Sequence, residues 1–272
     1  MSTPTITSPK NARVQAAVKL RRRKHRANQQ RTLVDGIREI RRAFQGGARL
    51  AELFVCPPLC GTEESEQLCE QAIRMSAPIY EVTTAVFEKL AFGDRAEGVV
   101  AVIDSPGHTL SEIALPHQPL VAVVEAVEKP GNLGAVIRSA DSAGISAVIA
   151  ADAQTDLHNP GTIRASLGTV FTMPVAAAAS SDVLAWLRNN NLAICAARVA
   201  EGPVYTEIDW TRPTAIVLGT ETSGLGETWH AADITPVQLP MCGTADSLNV
   251  AATAAVLFYE ALRQRGQKVL DC

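Results

Sequence analysis

Short apolar runs alternate along the chain with stretches in which apolar residues recur every three or four positions. The run Leu120–Val124 is continuously apolar, as expected of a strand that is buried on both faces of a parallel sheet. Near the C-terminus, Val250, Leu257 and Phe258 stand at helical spacing. Because such strand and helix signals alternate over the whole chain, the pattern predicts an α/β fold.

The first hundred residues are predicted to form a small α/β domain of their own. The pattern predicts two helices followed by alternating strands and helices, namely a basic helix over about 11–29, an amphipathic helix over about 33–45, strands at 53–56, 78–82 and 98–103, and helices at 63–75 and 84–90. Residues 1–9 are rich in Ser, Thr and Pro and are expected to be disordered. Residues 105–119 contain three prolines and one glycine, so we interpret them as a linker between domains at 1–104 and 120–272.

The second domain repeats the order strand, turn, helix. The predicted elements are strands at 120–124, 147–150, 170–175, 192–197, 214–218 and 237–239, and helices at 135–143, from Asp182 onward, and over 247–265. Asn132, Asp182 and Ser247 are expected to cap the three helices. Glycine-rich turns at 128–134 and 219–226 would let backbone groups come close to a ligand.

Charge is distributed unevenly along the chain. Residues 1–49 hold 13 Lys/Arg and 2 Asp/Glu, a balance of +11, whereas the remaining residues have a balance of −14. A basic segment of this kind is typical of proteins that bind a polyanion such as RNA. The alternative is a solvated tail, but Leu33, Ile37, Ile40 and Phe44 give the segment an apolar face to bury.

Composition narrows the class of protein further. The 272 residues, 47% of them hydrophobic, suit one or two domains with a substantial core. No apolar run has the length of a membrane span and no signal-peptide pattern opens the chain, so we expect a cytoplasmic protein without membrane contact. The six cysteines lack paired zinc-ligand spacing, so we expect reduced thiols and no metal site.

Three segments of the second domain resemble the three motifs of the SpoU branch of the SPOUT RNA ribose 2′-O-methyltransferases, in the family's order. They are Pro130–Ala140 (PGNLGAVIRSA), Gly219–Gly226 (GTETSGLG), and the stretch from Pro240 to Glu260 with its SLNV and FYE groups. Without the resemblance, the spacing of these residues is weaker evidence for a nucleotide-like ligand. The glycine-rich turn at 128–134 is neither GxGxxG nor a Walker loop, and the polar residues at 247 and 249 fit simple helix capping. Within the family the chain is similar to the ribosomal RNA methyltransferases, including the branch that confers antibiotic resistance.

The resemblance implies an architecture. It implies a mostly parallel sheet with helices on both faces, a C-terminal trefoil knot, and a homodimer in which the segment Arg164–Gly168 reaches the partner's site. The first hundred residues resemble the family's substrate-binding domain, which is similar to small ribosomal RNA-binding proteins, through Ser8-x-Lys10-Asn11 and Leu33-Val34-x-Gly36. The RNA contacts that we expect on this basis are Arg26, Arg31 and Arg164.

The resemblance also implies a reaction, the transfer of a methyl group from S-adenosylmethionine to a ribose 2′-hydroxyl, with 23S ribosomal RNA as the expected substrate. The implied cofactor-binding residues are Leu218, Gly219, Gly224, Leu239 and Leu248. The implied catalytic residues are Asn132, Arg138, Glu221, Ser247 and Asn249. Because a guanidinium group holds its proton firmly, we expect Arg138 to orient the hydroxyl and stabilise oxyanion charge, and its role as a base stays open.

Three other functions are compatible with parts of the sequence. Transfer RNA is the alternative substrate for the same chemistry. A non-catalytic RNA-binding protein would keep the basic segment without needing the three motifs. Binding of S-adenosylmethionine therefore distinguishes a methyltransferase from such a protein. A nucleotide-dependent enzyme that does not act on RNA would need a dinucleotide or phosphate-loop fingerprint, which the sequence lacks.

Overall fold

Two units, each with its own sheet, make up the chain in the computed structural model, which describes residues 4–92, 97–105, 109–220 and 224–266. The first unit comprises residues up to 106 together with a later segment, His158–Thr172. The second unit comprises residues 107–157 and those from Met173 onward. The boundary therefore differs from the sequence-based division at 104 and 120, because the chain returns to the first unit for 15 residues (158–172).

Strands and helices alternate through both units. The strands are β1 Thr5–Ile6, β2 Arg31–Asp35, β3 Leu50–Val55, β4 Ile79–Val82, β5 Val99–Asp104, β6 Leu120–Glu125, β7 Ala147–Ala151, β8 Val175–Ala178, β9 Ala193–Ala197, β10 Thr214–Leu218 and β11 Ile234–Val237. The α-helices are α1 Ala12–Lys19, α2 Arg23–Gln29, α3 Ile37–Gln45, α4 Glu63–Arg74, α5 Thr84–Leu90, α6 Pro130–Ser142, α7 Pro160–Ala165, α8 Ser180–Asn189 and α9 Val250–Gln264. Within the described residues, none of these helices has the length and apolar character needed to cross a bilayer.

The sheet of the first unit is mixed, with the order β1–β4–β3–β5–β2. β1 and β3 run parallel to β4, whereas β5 is antiparallel to both β3 and β2. α7, from the later segment, packs against β2, where the Thr32 hydroxyl donates to the His158 carbonyl at 2.6 Å. Residues far apart in sequence therefore complete this unit.

Two predictions for the N-terminal stretch were wrong. Thr5 and Ile6 are not disordered, since they pair with Glu81 and Val82 of β4. The basic stretch 11–29 is not one helix but two, α1 and α2, which are interrupted between Leu20 and Arg22. Leu20 ends α1 as its C-cap residue and is buried in the core.

The predicted amphipathic helix at 33–45 is in fact a strand followed by a helix. Leu33 and Val34 are buried in β2, and α3 begins only at Ile37. Gly36 separates the two elements with a φ of +107°, a conformation that side chains other than glycine rarely adopt. The helical spacing of the apolar residues arose because a buried strand directly precedes a helix with one apolar face.

The second unit contains a six-stranded sheet in which every described pairing is parallel, with the order β11–β9–β10–β6–β7–β8. This confirms the predicted α/β class with a mostly parallel sheet. Val121 and Val123 of β6 belong to a core cluster with Val183 and Leu187 of α8. Because side chains alternate along a strand, Ala122 lies on the other side of the sheet. α6 and α9 pack against each other, and α9 also contacts β10.

Several details of the second unit differ from the predictions. Residues 170–175 do not form a strand, since Thr169–Phe171 is a 3₁₀ turn and β8 starts at Val175. Asn132 does not cap α6, because the helix starts at Pro130, whose missing N–H is not needed in a first turn. Asn249, not Ser247, caps α9, and Asp182 is the third residue of α8.

Candidate active site

The order of the parallel strands changes direction between β6 and β10. From β6 the chain continues outward through β7 and β8, whereas β10, β9 and β11 lie on the other side. In open α/β sheets, ligands bind in the crevice outside the carboxyl ends of the strands at such a point. A cavity of about 40 Å³ lies there, between Glu125 at the end of β6 and Gly219 and Thr220 after β10. The topology alone thus marks this edge of the sheet as a candidate site.

A larger cleft of about 500 Å³ adjoins this cavity. Residues from three segments line it, those that follow β9 and β10 and those that precede and open α9. A volume of this size falls within the range of about 300–1,000 Å³ that is usual for small-molecule sites. All five sequence-predicted cofactor residues line the cleft, namely Leu218, Gly219, Gly224, Leu239 and Leu248.

After β10 the backbone passes so close to itself that a side chain at Gly219 would overlap it. Thr220 and Gly224 exchange backbone hydrogen bonds of 3.2 and 3.1 Å across the turn. A Cβ placed on Gly219 would lie 2.4 Å from both the carbonyl carbon and the carbonyl oxygen of Gly224. Since these are backbone atoms, no side-chain rotation can relieve the overlap. The cleft therefore has a wall of bare backbone groups at this point.

The starts of α6 and α9 meet beside the cavity. The Asn249 side-chain oxygen accepts the Ala251 N–H at 2.9 Å and so caps α9. The Asn249 amide nitrogen donates to Asn132 Oδ1 at 3.4 Å. Asn132 lines the smaller cavity and Ser247 lines the larger cleft, and the two cavities share Gly219, Thr220 and Val250. Two of the predicted catalytic residues thus line adjoining cavities, and a third, Asn249, is hydrogen-bonded to Asn132.

Arg138 and Glu221 are placed differently. Arg138 is exposed on α6 and lines neither of the two cavities. It follows Asn132 by six residues, which turns its side chain about 120° around the helix axis from that of Asn132. Glu221 lies outside the described residues. Within one chain, therefore, Arg138 faces solvent rather than the cleft.

All three arginines expected to contact RNA have partners inside the first unit. Arg26 is only 4% exposed, and its guanidinium donates to the Leu20 carbonyl at 2.8 Å. Arg31 is partly exposed and pairs with Asp104 at 3.0 Å. The prediction that Arg26 contacts RNA is therefore corrected, because a guanidinium buried against a carbonyl at the bend between α1 and α2 is not at the surface.

Arg164, the third, supports the first unit from within. Its guanidinium donates to the Phe92 carbonyl, and its charge acts on the nearby carboxyl group of Asp35. Burial raises the pKa of Asp35 to about 6, although the Phe92 N–H and Arg164 both oppose that rise. Arg164 thus provides a positive charge beside a carboxylate that is costly to bury.

Two charged residues at the site were missed by the sequence analysis. Glu125 ends the apolar run of β6, and Arg198 directly follows β9 and lines the cleft. Arg198 donates to the Trp229 carbonyl at 2.6 Å and pairs with Glu201 at 2.8 Å. The available signal was a charged residue at the carboxyl end of an otherwise apolar strand, which is where ligand sites of parallel sheets lie.

Comparison with known proteins matches both units. Residues 119–259 match the SpoU rRNA Methylase family, and residues 11–101 match the MRM3-like substrate binding domain. A relative from Streptomyces viridochromogenes, the 23S rRNA (uridine(2479)-2′-O)-methyltransferase, is 30% identical over 96% of this chain and 92% of its own length. A crystal structure of an RNA 2′-O ribose methyltransferase is 41% identical, with a TM-score of 0.84 over 96% of this chain and 99% of that one. An AdoMet-bound rRNA methyltransferase from Sinorhizobium meliloti is 28% identical, with a TM-score of 0.86 over 96% and 98%.

Proposed function

The chain belongs to the SpoU rRNA methylase family, and on that basis we propose that it transfers a methyl group from S-adenosylmethionine to a ribose 2′-hydroxyl of 23S ribosomal RNA. The observation that carries this proposal is the cleft of about 500 Å³, in which the second and third motifs meet. The matches over nearly the whole chain, to an rRNA methyltransferase and to an AdoMet-bound structure, support the same substrate and cofactor.

The residues that line the cleft fit this cofactor. The bare backbone at Gly219 leaves room for close hydrogen bonding to an adenosine, and Leu239 and Leu248 offer apolar contacts to its base. When bound, S-adenosylmethionine supplies a methyl group on a positively charged sulfur. The protein's main task is then to align the acceptor hydroxyl with that group, which can supply a large part of the rate.

Arg138 is proposed to act on the acceptor hydroxyl. Its planar guanidinium carries five N–H donors, so it can hold the ribose oxygen and stabilise the negative charge that develops as the hydroxyl proton leaves. Its exposure on α6 suits a residue that meets an RNA arriving from solvent. Asn132, Ser247 and Asn249, with Glu221, are proposed to position the ribose and its neighbouring phosphate.

Mapping of 2′-O-methyl groups in RNA from cells with and without this protein tests the proposed function. We expect one site, or a few sites, to be lost from 23S ribosomal RNA and restored by the purified protein with S-adenosylmethionine. Loss of a transfer RNA site instead would show that the substrate is wrong while the chemistry is right. No lost site, together with no cofactor binding by the folded protein, would favour a non-catalytic RNA-binding protein.

The first unit is proposed to be the RNA-binding domain, with a likeness to small ribosomal RNA-binding proteins. Its match to a substrate-binding domain and its excess of basic residues support this assignment. Arg22 and Lys24 are exposed at the start of α2, in contrast to the buried Arg26. We therefore propose Arg22 and Lys24 as phosphate contacts, and we retain the partly exposed Arg31.

Replacing Arg22 and Lys24 together by alanine is expected to weaken RNA binding about tenfold or more at low salt. Each lost phosphate contact should also lower the slope of log affinity against log salt by about one, because fewer counterions are released. Substitution is preferable to deletion, since Val14, Ala17 and Leu20 are buried in the core of the first unit. Fluorescence anisotropy with an rRNA fragment at several salt concentrations measures both quantities.

A matched control removes two other exposed cations, through Arg74→Ala and Arg188→Ala. Each of these arginines pairs with a neighbouring carboxylate, Glu70 or Asp233, outside the proposed RNA surface. The control should leave the salt slope within about half a unit of the wild-type value. Equal slopes for the two double variants would contradict the proposed surface.

A homodimer belongs to the same proposal. α9 presents Val256 and Tyr259 to solvent, with 37% and 50% of their surfaces exposed, beside α6, which carries Arg138. Exposed apolar side chains on one helix face suit a contact with a second copy. Such a contact would also explain why Arg138 faces away from the cleft of its own chain.

The double variant Val256→Glu with Tyr259→Glu is expected to be monomeric by light scattering at micromolar concentration, because the carboxylates would have to be buried without partners. Loss of methyl transfer should accompany the loss of the dimer. Ile73→Glu is the control, since Ile73 is 64% exposed on α4 of the first unit. A fully active wild-type monomer would contradict the proposed dimer.

We also propose the C-terminal trefoil knot and a cytoplasmic location. The course of the chain supports the knot, because residues 238–249 leave β11 at the edge of the sheet and return to the cleft beside Gly219 before α9 begins. Joining the two chain ends of the structure and examining the closed path for a trefoil tests the knot.

The proposed cytoplasmic location follows from the proposed substrate and is tested by fractionating cells that express the protein.

A further inference from the structure

Glu125 is a carboxylate buried behind the cofactor cleft. Only 7% of the residue is exposed, at the end of β6. One carboxylate oxygen accepts the Gly226 N–H at 2.6 Å, and the other accepts the Ser180 hydroxyl at 2.9 Å. Burying a carboxylate is costly unless it is well hydrogen-bonded. The two bonds therefore hold together three segments that are distant in sequence.

Two of the three segments joined by Glu125 border the candidate site. Gly226 closes the turn that begins at Gly219, and Gly224 and Leu225 just before it line the cleft. Ser180 opens α8, and Glu125 itself borders the smaller cavity together with Asn132 and Gly219. A Cβ on Gly226 would approach Glu125 Oε1 to 3.2 Å, so the turn and the carboxylate are in close contact.

We propose that Glu125 is a positioning residue that holds the turn after β10 in the conformation that binds S-adenosylmethionine. This inference rests on the proposed function, because it assigns the cofactor to the cleft. The register of the sheet places Val124 beside Leu218, so Glu125 follows at the level where the turn begins. From there its carboxylate reaches the far end of the turn at Gly226. Both ends of the turn are thereby attached to the central strands β6 and β10.

The charge of Glu125 should matter as well as its shape. Hydrogen bonds to a charged acceptor are stronger than bonds between neutral groups. Glutamine has nearly the same volume and can still accept one bond, but it lacks the charge. Glu125→Gln is therefore expected to weaken S-adenosylmethionine binding about tenfold, which corresponds to about 1.4 kcal/mol. The rate at saturating cofactor should change much less, since no reacting atom is touched.

The test compares Glu125→Gln with Ser180→Ala, which removes the other hydrogen bond of the same carboxylate and leaves the bond to the turn in place. Isothermal titration gives the cofactor affinity of each variant, and methyl-transfer kinetics give KM for the cofactor and kcat. We expect the loss of affinity and the rise in KM in Glu125→Gln alone. If wild-type protein does not bind the cofactor, the proposed function fails. If wild-type protein binds and Glu125→Gln binds within threefold of it, this inference is overturned.

A second pair of variants covers the case in which Glu125→Gln does not fold. Gly226 has a φ of −72°, close to the value that proline requires, so Gly226→Pro removes the N–H donor at a compatible backbone angle. Gly226→Ala keeps the donor and serves as its control. A weaker cofactor affinity in the proline variant than in the alanine variant is expected, and equal affinities would overturn the role of this hydrogen bond.

Discussion

Arg138→Ala is expected to lower the single-turnover rate of methyl transfer by about a hundredfold or more, which is the usual effect of removing one group that stabilises transition-state charge. The fold and the affinity for S-adenosylmethionine should be unchanged, because Arg138 is exposed and lines neither cavity. Rapid-quench measurements at saturating RNA and cofactor separate this loss from weaker binding.

Arg138→Lys distinguishes two roles of the same residue. Lysine retains the positive charge but lacks the planar group of donors, so near-complete loss in both variants indicates hydrogen-bonding geometry. Substantial rescue by lysine indicates charge alone. Arg188→Ala is the matched control, since Arg188 is also exposed on a helix of the second unit, α8, and pairs with Asp233. A wild-type rate for Arg138→Ala would remove Arg138 from the catalytic residues.

Gly219→Ala is expected to weaken S-adenosylmethionine binding by about a hundredfold. The added Cβ would lie 2.4 Å from backbone atoms of Gly224, so the turn has to open, and overpacking of this kind typically costs about 1–3 kcal/mol. Because the turn forms a wall of the cleft, its displacement removes backbone groups from the cofactor. Thermal unfolding should show that the sheet remains intact, and titration calorimetry measures the affinity.

Gly243→Ala is the control for this substitution. Gly243 belongs to the third motif, but a Cβ there would meet nothing within 4 Å. Its variant should therefore bind the cofactor within a few fold of wild type. If Gly219→Ala binds as tightly as Gly243→Ala, the tight turn after β10 is not needed for the cofactor, and the assignment of this cleft would have to be abandoned.

The elements that sequence analysis predicted well are those whose signals are local. The strand at 214–218 and the helix at 84–90 are confirmed to the residue, because the first is a continuous apolar run and the second has an apolar helical face. The predictions were wrong where the secondary structure of a segment depends on pairing with a segment that is distant in sequence. Thr5 and Ile6 form a strand because β4 offers an edge, and Leu33 and Val34 join a sheet rather than the helix that follows them.

For the candidate site, too, some features could be predicted from the sequence and others could not. The five residues expected to bind the cofactor were named from the resemblance around the second and third motifs, and all five line one cleft. Which arginines of the basic segment are exposed could not be foreseen, since Arg26 and Arg22 belong to the same run of basic residues and only Arg26 is buried. Side-chain burial depends on where each helix packs, and charge counts contain no such information.

The sequence by itself determined the α/β class, the family, and the residue types that the reaction needs. The hydrophobic periodicity of strands and helices and the motifs involve residues that are close together in the sequence. Only the tertiary structure decided that Asn132 meets Asn249 across 117 positions and that Glu125 reaches Gly226 across 101. It also decided that residues 158–172 complete the first unit. These contacts depend on strand order and register in the two sheets, which arise from the packing of the whole chain and not from any single segment.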